Sequence, residues 1–145
     1  MTAPVITGML LQSTAALPIT LSLSDGPLRP RTFELIGTLA LAPLGAALFV
    51  WALWSVRSDA EAKRLVTGGA YAWLRHPMYL AFLAMLLATG LLASAGLKLV
   101  AATVLYLAGS ELRIASEEAE LRERFPADYA QYRLKTRWRY LPGLR

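Results

Sequence analysis

Long apolar runs alternate with short charged connectors along this chain, and the runs set the elements. Residues 35–56 contain no charged side chain. As an α-helix, a run of that length crosses a bilayer core of roughly 30 Å. Pro43 lies inside it and predicts a kink of the kind membrane helices tolerate. Trp51 and Trp54 close the run ahead of Arg57, an aromatic belt followed by an interfacial charge. Residues 77–110 form a second run whose only charge is Lys98. One helix of that length would extend about 50 Å, more than a membrane needs. The Ser94-Ala95-Gly96 cluster breaks it, so the pattern predicts a helical hairpin, with 77–93 as one arm and 97 to about 124 as the other. The last third of the second arm is charged and should project from the membrane. Residues 4–23 have the length of a further span, diluted by Gln12, Ser13, Thr14, Pro18 and Thr20. They are read as spanning, with an interfacial helix as the alternative.

The connectors are short. Residues 25–31 form a Gly/Pro-containing loop, and residues 57–76 a polar segment turning at Gly68-Gly69. Pro77 suits the first position of a helix, where its missing N–H costs nothing. Pro126 can likewise open a short amphipathic helix carrying Tyr129 and Tyr132. The expected fold is an all-α integral membrane protein of about four hydrophobic helices, including the hairpin in the C-terminal half, plus that short helix on the cytoplasmic side. Its 145 residues make a single domain, in which 1–62 supply N-terminal transmembrane helices and 63–145 the half that carries chemistry.

Composition sharpens this picture. The chain is 56% hydrophobic and 17% charged, against about 25% charged in soluble domains. Its net charge of +5 sits beside apolar runs, so anionic lipid headgroups rather than nucleic acid are the partner it suggests. With no cysteine and one histidine, His76, thiolate sites, thiol nucleophiles and multi-histidine metal centres are excluded, and no metal site is expected. The apolar N-terminus lacks the basic segment of a signal peptide and is read as part of the mature protein. The hairpin brings Arg57, Lys63, Arg64 and Arg75 of the connector to the same side as the basic residues of the C-terminal part, Lys135 and Arg139 among them, leaving Arg29, Arg31 and Lys98 opposite. The positive-inside rule makes the first side cytoplasmic.

The hairpin also predicts where chemistry sits. Counting from a turn centred on Ala95, His76 is level with Ile114, one turn short of Glu117 and Glu118. Arg75, His76, Pro77, Met78 and Tyr79 therefore meet Glu111, Arg113, Glu117 and Glu118 at one membrane face. Ionisable groups gathered at the end of an apolar hairpin point to a functional site, and the helix start at Pro77 aims its positive dipole end there. Taken singly, each has a plainer reading: a helix-start histidine, a solvated Glu117-Glu118 pair, a snorkelling Arg113, and an interfacial belt of Tyr71, Trp73 and Tyr79. Together they describe a polar ligand site at the cytoplasmic interface.

At these residues the sequence resembles the isoprenylcysteine carboxyl methyltransferase family. The resemblance rests on Gly69-Ala70-Tyr71 followed by Arg75-His76-Pro77-Met78-Tyr79, then Arg113-x-x-x-Glu117-Glu118-x-x-Leu121, Phe125, Tyr129, Tyr132 and a basic segment ending at Pro142. Phospholipid methyltransferases share a looser form of both blocks. The resemblance implies an all-helical membrane enzyme using S-adenosylmethionine, with 63–145 as the cofactor-binding catalytic half. By position it implies cofactor contacts at Lys63, Arg64, Leu65, Val66, Tyr71, His76, Pro77, Met78, Tyr79 and Glu117. Arg113 matches the position that meets the acceptor, and Glu118 belongs to the same motif as a second catalytic candidate.

Two positions depart from the family pattern. Ala81 stands where the family has glycine, which would alter the pocket, and Pro126 follows Phe125 where it has glycine. The expected acceptor is lipidic or small, a carboxylate being favoured because it is ionised without a general base. The Ala/Leu/Arg-rich composition suggests a bacterial inner membrane. Two other readings stand beside this one: an NADPH-dependent membrane enzyme of the sterol-reductase type, which shares a His-Pro-x-Tyr element, and a non-catalytic membrane scaffold.

Overall fold

The computed structural model describes residues 3–24, 28–60, 64–141 and 143. Among these the fold is helical: α1 (Ala3–Ser24), α2 (Thr32–Ala60), a 3-10 turn (Gly69–Ala72), α3 (Pro77–Leu92), α4 (Leu97–Arg124) and α5 (Pro126–Lys135). This is the all-α membrane architecture expected. Val5–Leu23, Thr32–Arg57 and Leu97–Arg124 are long and apolar enough to cross a bilayer. Residues 4–23 thus have the length and composition of a span. α3, at 16 residues, extends about 24 Å, short of a roughly 30 Å core.

The four long helices run up and down in succession. Gly8 and Gly109 oppose each other where α1 crosses α4, and Ile19 packs with Ala95 and Ala102 at the other end of the pair. α1 is therefore antiparallel to α4. α2 and α3 form the other close pair, with Gly45 against Ala81 and Ala84 and Gly37 against Leu91. Small residues let these backbones approach closely, since helix association in lipid depends on packing and not on hydrophobic drive. Leu10, Leu17, Ile36, Leu39, Leu44 and Trp54 stay exposed on α1 and α2. In a membrane those faces meet acyl chains.

The hairpin forms as predicted, with arms at Pro77–Leu92 and Leu97–Arg124. Its turn uses left-handed backbone at Ser94 (φ 48°) and Gly96 (φ 52°). Glu34, from the start of α2, accepts hydrogen bonds from Ser94 Oγ (2.7 Å) and the Arg31 backbone N–H (2.6 Å), tying α2 to this turn. The arms do not lie side by side along their length. Each packs mainly on a different partner, α3 on α2 and α4 on α1, and only loosely on the other arm.

The ends of the arms away from the turn are covered by the C-terminal segment. Pro126 opens α5, as expected, and buries Tyr129 and Tyr132. Tyr132 donates to the Tyr71 carbonyl (2.7 Å) and Thr136 to that of Ala72 (3.1 Å). The chain after α5 then runs beside residues 74–76, with Leu74 and Trp138 bridged in parallel. Backbone N–H groups of Arg75 and His76 donate to the carbonyls of Trp138 (3.0 Å) and Arg139 (2.7 Å). Connector and C-terminal segment therefore share one end of the bundle, the juxtaposition on which the positive-inside reading relied.

Candidate functional site

The site grows from the start of α3. Pro77 occupies the first turn without wasting a donor, and His76 caps it from a non-helical conformation (φ −132°, ψ 63°). The cap aims the imidazole at α4, where each ring nitrogen meets a carboxylate: Nδ1 lies 3.4 Å from Glu117 Oε2 and Nε2 3.5 Å from Glu118 Oε1. Burial opposes charge on His76, but the two carboxylates outweigh it and raise its pKa. The ring thus lies between two carboxylates, and its buried Nε2 makes no hydrogen bond.

The two glutamates, adjacent in sequence, do different things. Glu118 is buried among cations, with Arg75 Nε at 3.2 Å, Arg122 at 3.2 Å and Arg139 Nε at 3.5 Å. Arg75 adds hydrogen bonds to the carbonyls of Thr136 and Arg137 (3.1 Å each). This cluster joins α4, the α3 start and the C-terminal segment, and Glu118 does not line the cavity described below. Glu117, 41% exposed, faces that cavity. It accepts a 2.5 Å hydrogen bond from Tyr79 Oη, and Arg113 lies 3.7 Å away, its guanidinium 5.5 Å above the Tyr79 ring. Tyr106 Oη donates to the Tyr79 carbonyl at 2.8 Å, locking α3 to α4 at this level.

Between the arms lies a cavity of about 870 Å³, in the size range of small-molecule sites. Its polar end holds Arg64, Tyr71, His76, Tyr79, Arg113 and Glu117; Leu65, Val66 and Met78 also line it. Burial first, and then the Glu117 charge, pushes the Tyr71 phenol up to about 12, so Tyr71 stays neutral there. Toward the turn the walls become mostly apolar, with Ile19, Phe82, Met85 and Leu86 beside the hydroxyls of Thr20 and Thr89. A second, more polar hollow along α5 shares Arg64, Leu65, Phe125 and Tyr132 with it.

Most positions singled out from the sequence meet here. Arg64, Leu65, Val66, Tyr71, His76, Met78, Tyr79, Arg113 and Glu117 all line the cavity. Pro77 is buried in the helix start beneath it, and Lys63 lies outside the described residues. Of the three candidate belt aromatics, Trp73 is 72% exposed, whereas Tyr71 and Tyr79 turn inward. Ala81, whose departure from glycine was expected to alter the pocket, instead faces Gly45 of α2 and does not line the cavity. The glycine of that crossing is supplied by the opposite helix.

Sequence reasoning missed two contributors. Gln12, read only as a dilution of the first span, accepts from Arg113 (2.6 Å) and donates to Ser110 Oγ (2.9 Å). Arg139, read only as a basic residue, pairs with Glu111 at 2.7 Å and approaches Glu118. A polar residue within an apolar run is itself the signal that could have found Gln12. No group of residues able to hold a metal ion occurs among the described residues.

The model of the isoprenylcysteine carboxyl methyltransferase family matches residues 52–123, which takes in Tyr71, His76, Tyr79, Arg113 and Glu117. That segment is similar to the family, and the match supports methyltransferase activity in a membrane as the function class. No curated protein and no solved structure matches the chain.

Proposed function

We propose that this chain, with its segment similar to the isoprenylcysteine carboxyl methyltransferase family, transfers a methyl group from S-adenosylmethionine to a carboxylate on a lipidic or small acceptor, at the cytoplasmic face of a bacterial inner membrane. One observation carries the reading: Glu117, Tyr79, His76 and Arg113 converge on the polar end of a cavity whose other end is mostly apolar and lies between helices long enough to span a bilayer.

The residues present suit the cofactor. A half-exposed carboxylate, Glu117, is available to an ammonium group, and the positive dipole end of α3 to a carboxylate. The rings of Tyr71 and Tyr79 offer faces that favour a cationic sulfur. Arg64, Leu65, Val66 and Met78 complete the wall. When bound, the cofactor supplies an electrophilic methyl group, whose bond to sulfur breaks as the acceptor oxygen forms the new one.

The protein's part is alignment, worth several orders of magnitude when reactants are held at attack distance. Arg113 holds the acceptor: a guanidinium matches a carboxylate in shape and charge. An ionised carboxylate already carries the attacking electron pair, so no base is needed. Glu118, saturated by arginines and away from the cavity, serves to hold His76 and Arg75 in place. The apolar walls suit an acceptor that enters from the bilayer, and the polar hollow along α5 suits the water-soluble cofactor.

The test is a calorimetric titration of the protein in detergent with S-adenosylhomocysteine. Micromolar binding that is lost in Glu117→Ala and His76→Ala is the expected result. Binding of NADPH in its place would turn the reading to a reductase, and binding of neither by folded protein to a scaffold.

A further inference from the structure

We propose that Gln12 is a positioning and specificity-determining residue: it holds the Arg113 guanidinium in place without neutralising it, so that the site selects acceptors carrying an anionic group. The inference rests on the methyltransferase reading above and adds a residue from outside the family-matched segment, 52–123.

The geometry around Arg113 has three sides. One nitrogen donates to Gln12 Oε1 at 2.6 Å, the other lies 3.7 Å from Glu117, and the Tyr79 ring covers one face. The shortest of these polar contacts is to a neutral amide. Glu117 is meanwhile engaged by Tyr79 Oη at 2.5 Å and faced by His76 at 3.4 Å, so its charge is shared. Arg113 therefore keeps positive charge facing the cavity.

The amide cannot turn round. Ser110 Oγ donates to the Tyr106 carbonyl at 2.8 Å and so presents only acceptor capacity to Gln12 Nε2. That fixes Gln12 Oε1 toward Arg113. Nor can the helix easily shift: a Cβ on Gly109 would stand 2.8 Å from the Gly8 carbonyl, and one on Gly8 would stand 2.9 Å from that of Gly109. Gln12, one turn beyond Gly8, is held against α4 by this crossing. A site group set by a close-packed crossing and a second hydrogen bond is preorganised. A carboxylate at position 12 would keep the contact yet cancel the charge, and an anionic acceptor would then meet a neutral wall.

The experiment compares wild type, Gln12→Glu and Gln12→Ala, each saturated with S-adenosylhomocysteine. Two probes are titrated by calorimetry, N-acetyl-S-farnesylcysteine and its carboxamide. Both substitutions are expected to weaken acid binding, by about tenfold or more for Gln12→Glu. Carboxamide affinity and the Kd for S-adenosylhomocysteine should stay within twofold. In turnover with the acid, KM should rise more than kcat falls. Parallel loss of acid and carboxamide would show a general defect of the cavity wall and overturn the proposal, as would unchanged acid binding in both variants. A wild type that binds S-adenosylhomocysteine but prefers the carboxamide would overturn it and leave the methyltransferase reading standing. A wild type that binds no S-adenosylhomocysteine would overturn both.

Discussion

Removing the Arg75 guanidinium should undock the C-terminal segment from the site. The group is buried and serves three acceptors at once: Glu118 at 3.2 Å and the carbonyls of Thr136 and Arg137 at 3.1 Å. Breaking a buried ion pair by deleting one partner costs about 3–5 kcal/mol, because the remaining charge is stranded. Here Glu118 keeps Arg122 and Arg139, which places Arg75→Met near the lower end, about 3 kcal/mol. Arg75→Lys keeps the charge but not the planar fork. It forfeits one of the three charge-assisted hydrogen bonds, a contribution of about 1.5–3 kcal/mol. The assay is amide hydrogen exchange, read on residues 74–76 and 136–140. The N–H groups of Arg75 and His76 are bonded to the carbonyls of Trp138 and Arg139, so they report docking directly. Exchange in both stretches should accelerate in Arg75→Met, about a hundredfold for 3 kcal/mol, and less in Arg75→Lys. Unchanged protection in Arg75→Met would refute the assignment of Arg75 as the clamp.

Three further outcomes follow from the same contacts. The His76 pKa is raised in the fold, so its contribution to stability is fully present below its unfolded value, about 6.5, and is lost as pH rises through the higher folded value; NMR of the single histidine should show a midpoint above 6.5, and a lower one would show that burial wins. Tyr79→Phe keeps the ring over Arg113 but removes the 2.5 Å hydrogen bond to Glu117; hydrogen bonds to charged groups contribute about 1.5–3 kcal/mol to stability, so thermal unfolding should show a lower Tm, and an unchanged Tm would show that the bond contributes nothing. Gly109→Val places a branched side chain against the Gly8 carbonyl; overpacking costs about 1–3 kcal/mol, seen as a lower Tm, whereas Gly143→Ala, with open space around it but a φ of 104°, should cost only backbone strain.

The hairpin was legible because lipid imposes a simple rule: an apolar run too long for one crossing must turn, and Ser94-Ala95-Gly96 was the one place it could. The same rule gave both arms to within a residue. By Cα count Ile114 stands opposite His76, with Glu117 and Glu118 one turn beyond yet expected at the same site. Ile114 is buried among Tyr79 and Tyr140, and Glu117 and Glu118 reach His76. Helical Cα–Cβ bonds tilt toward the helix N-terminus, so long side chains on α4 reach back toward the turn, and a count of Cα positions understates how far. Pairing of the helices was not legible. Gly8, Gly45 and Gly109 read as unremarkable members of apolar runs, and only three-dimensional contact shows that each marks a crossing.

That hidden pairing is what makes a site possible. Two arms packed along their whole length would bring His76 to Glu117 but leave no room for a ligand. Because α1 and α2 each hold one arm, the arms pack only loosely on each other, and the C-terminal segment covers their ends away from the turn. The motif residues therefore divide into two groups that a linear motif cannot separate. Arg75, Glu118 and Tyr132 tie the closing segment down, Arg75 and Tyr132 also forming part of the cavity wall, while Tyr79, Arg113 and Glu117 face the space it encloses. Adjacent glutamates fall in different groups because successive residues on a helix point about 100° apart. A half-chain of motif thus needs the other half to act: α1 supplies both the support that opens the cavity and, at Gln12, the contact that fixes Arg113 within it.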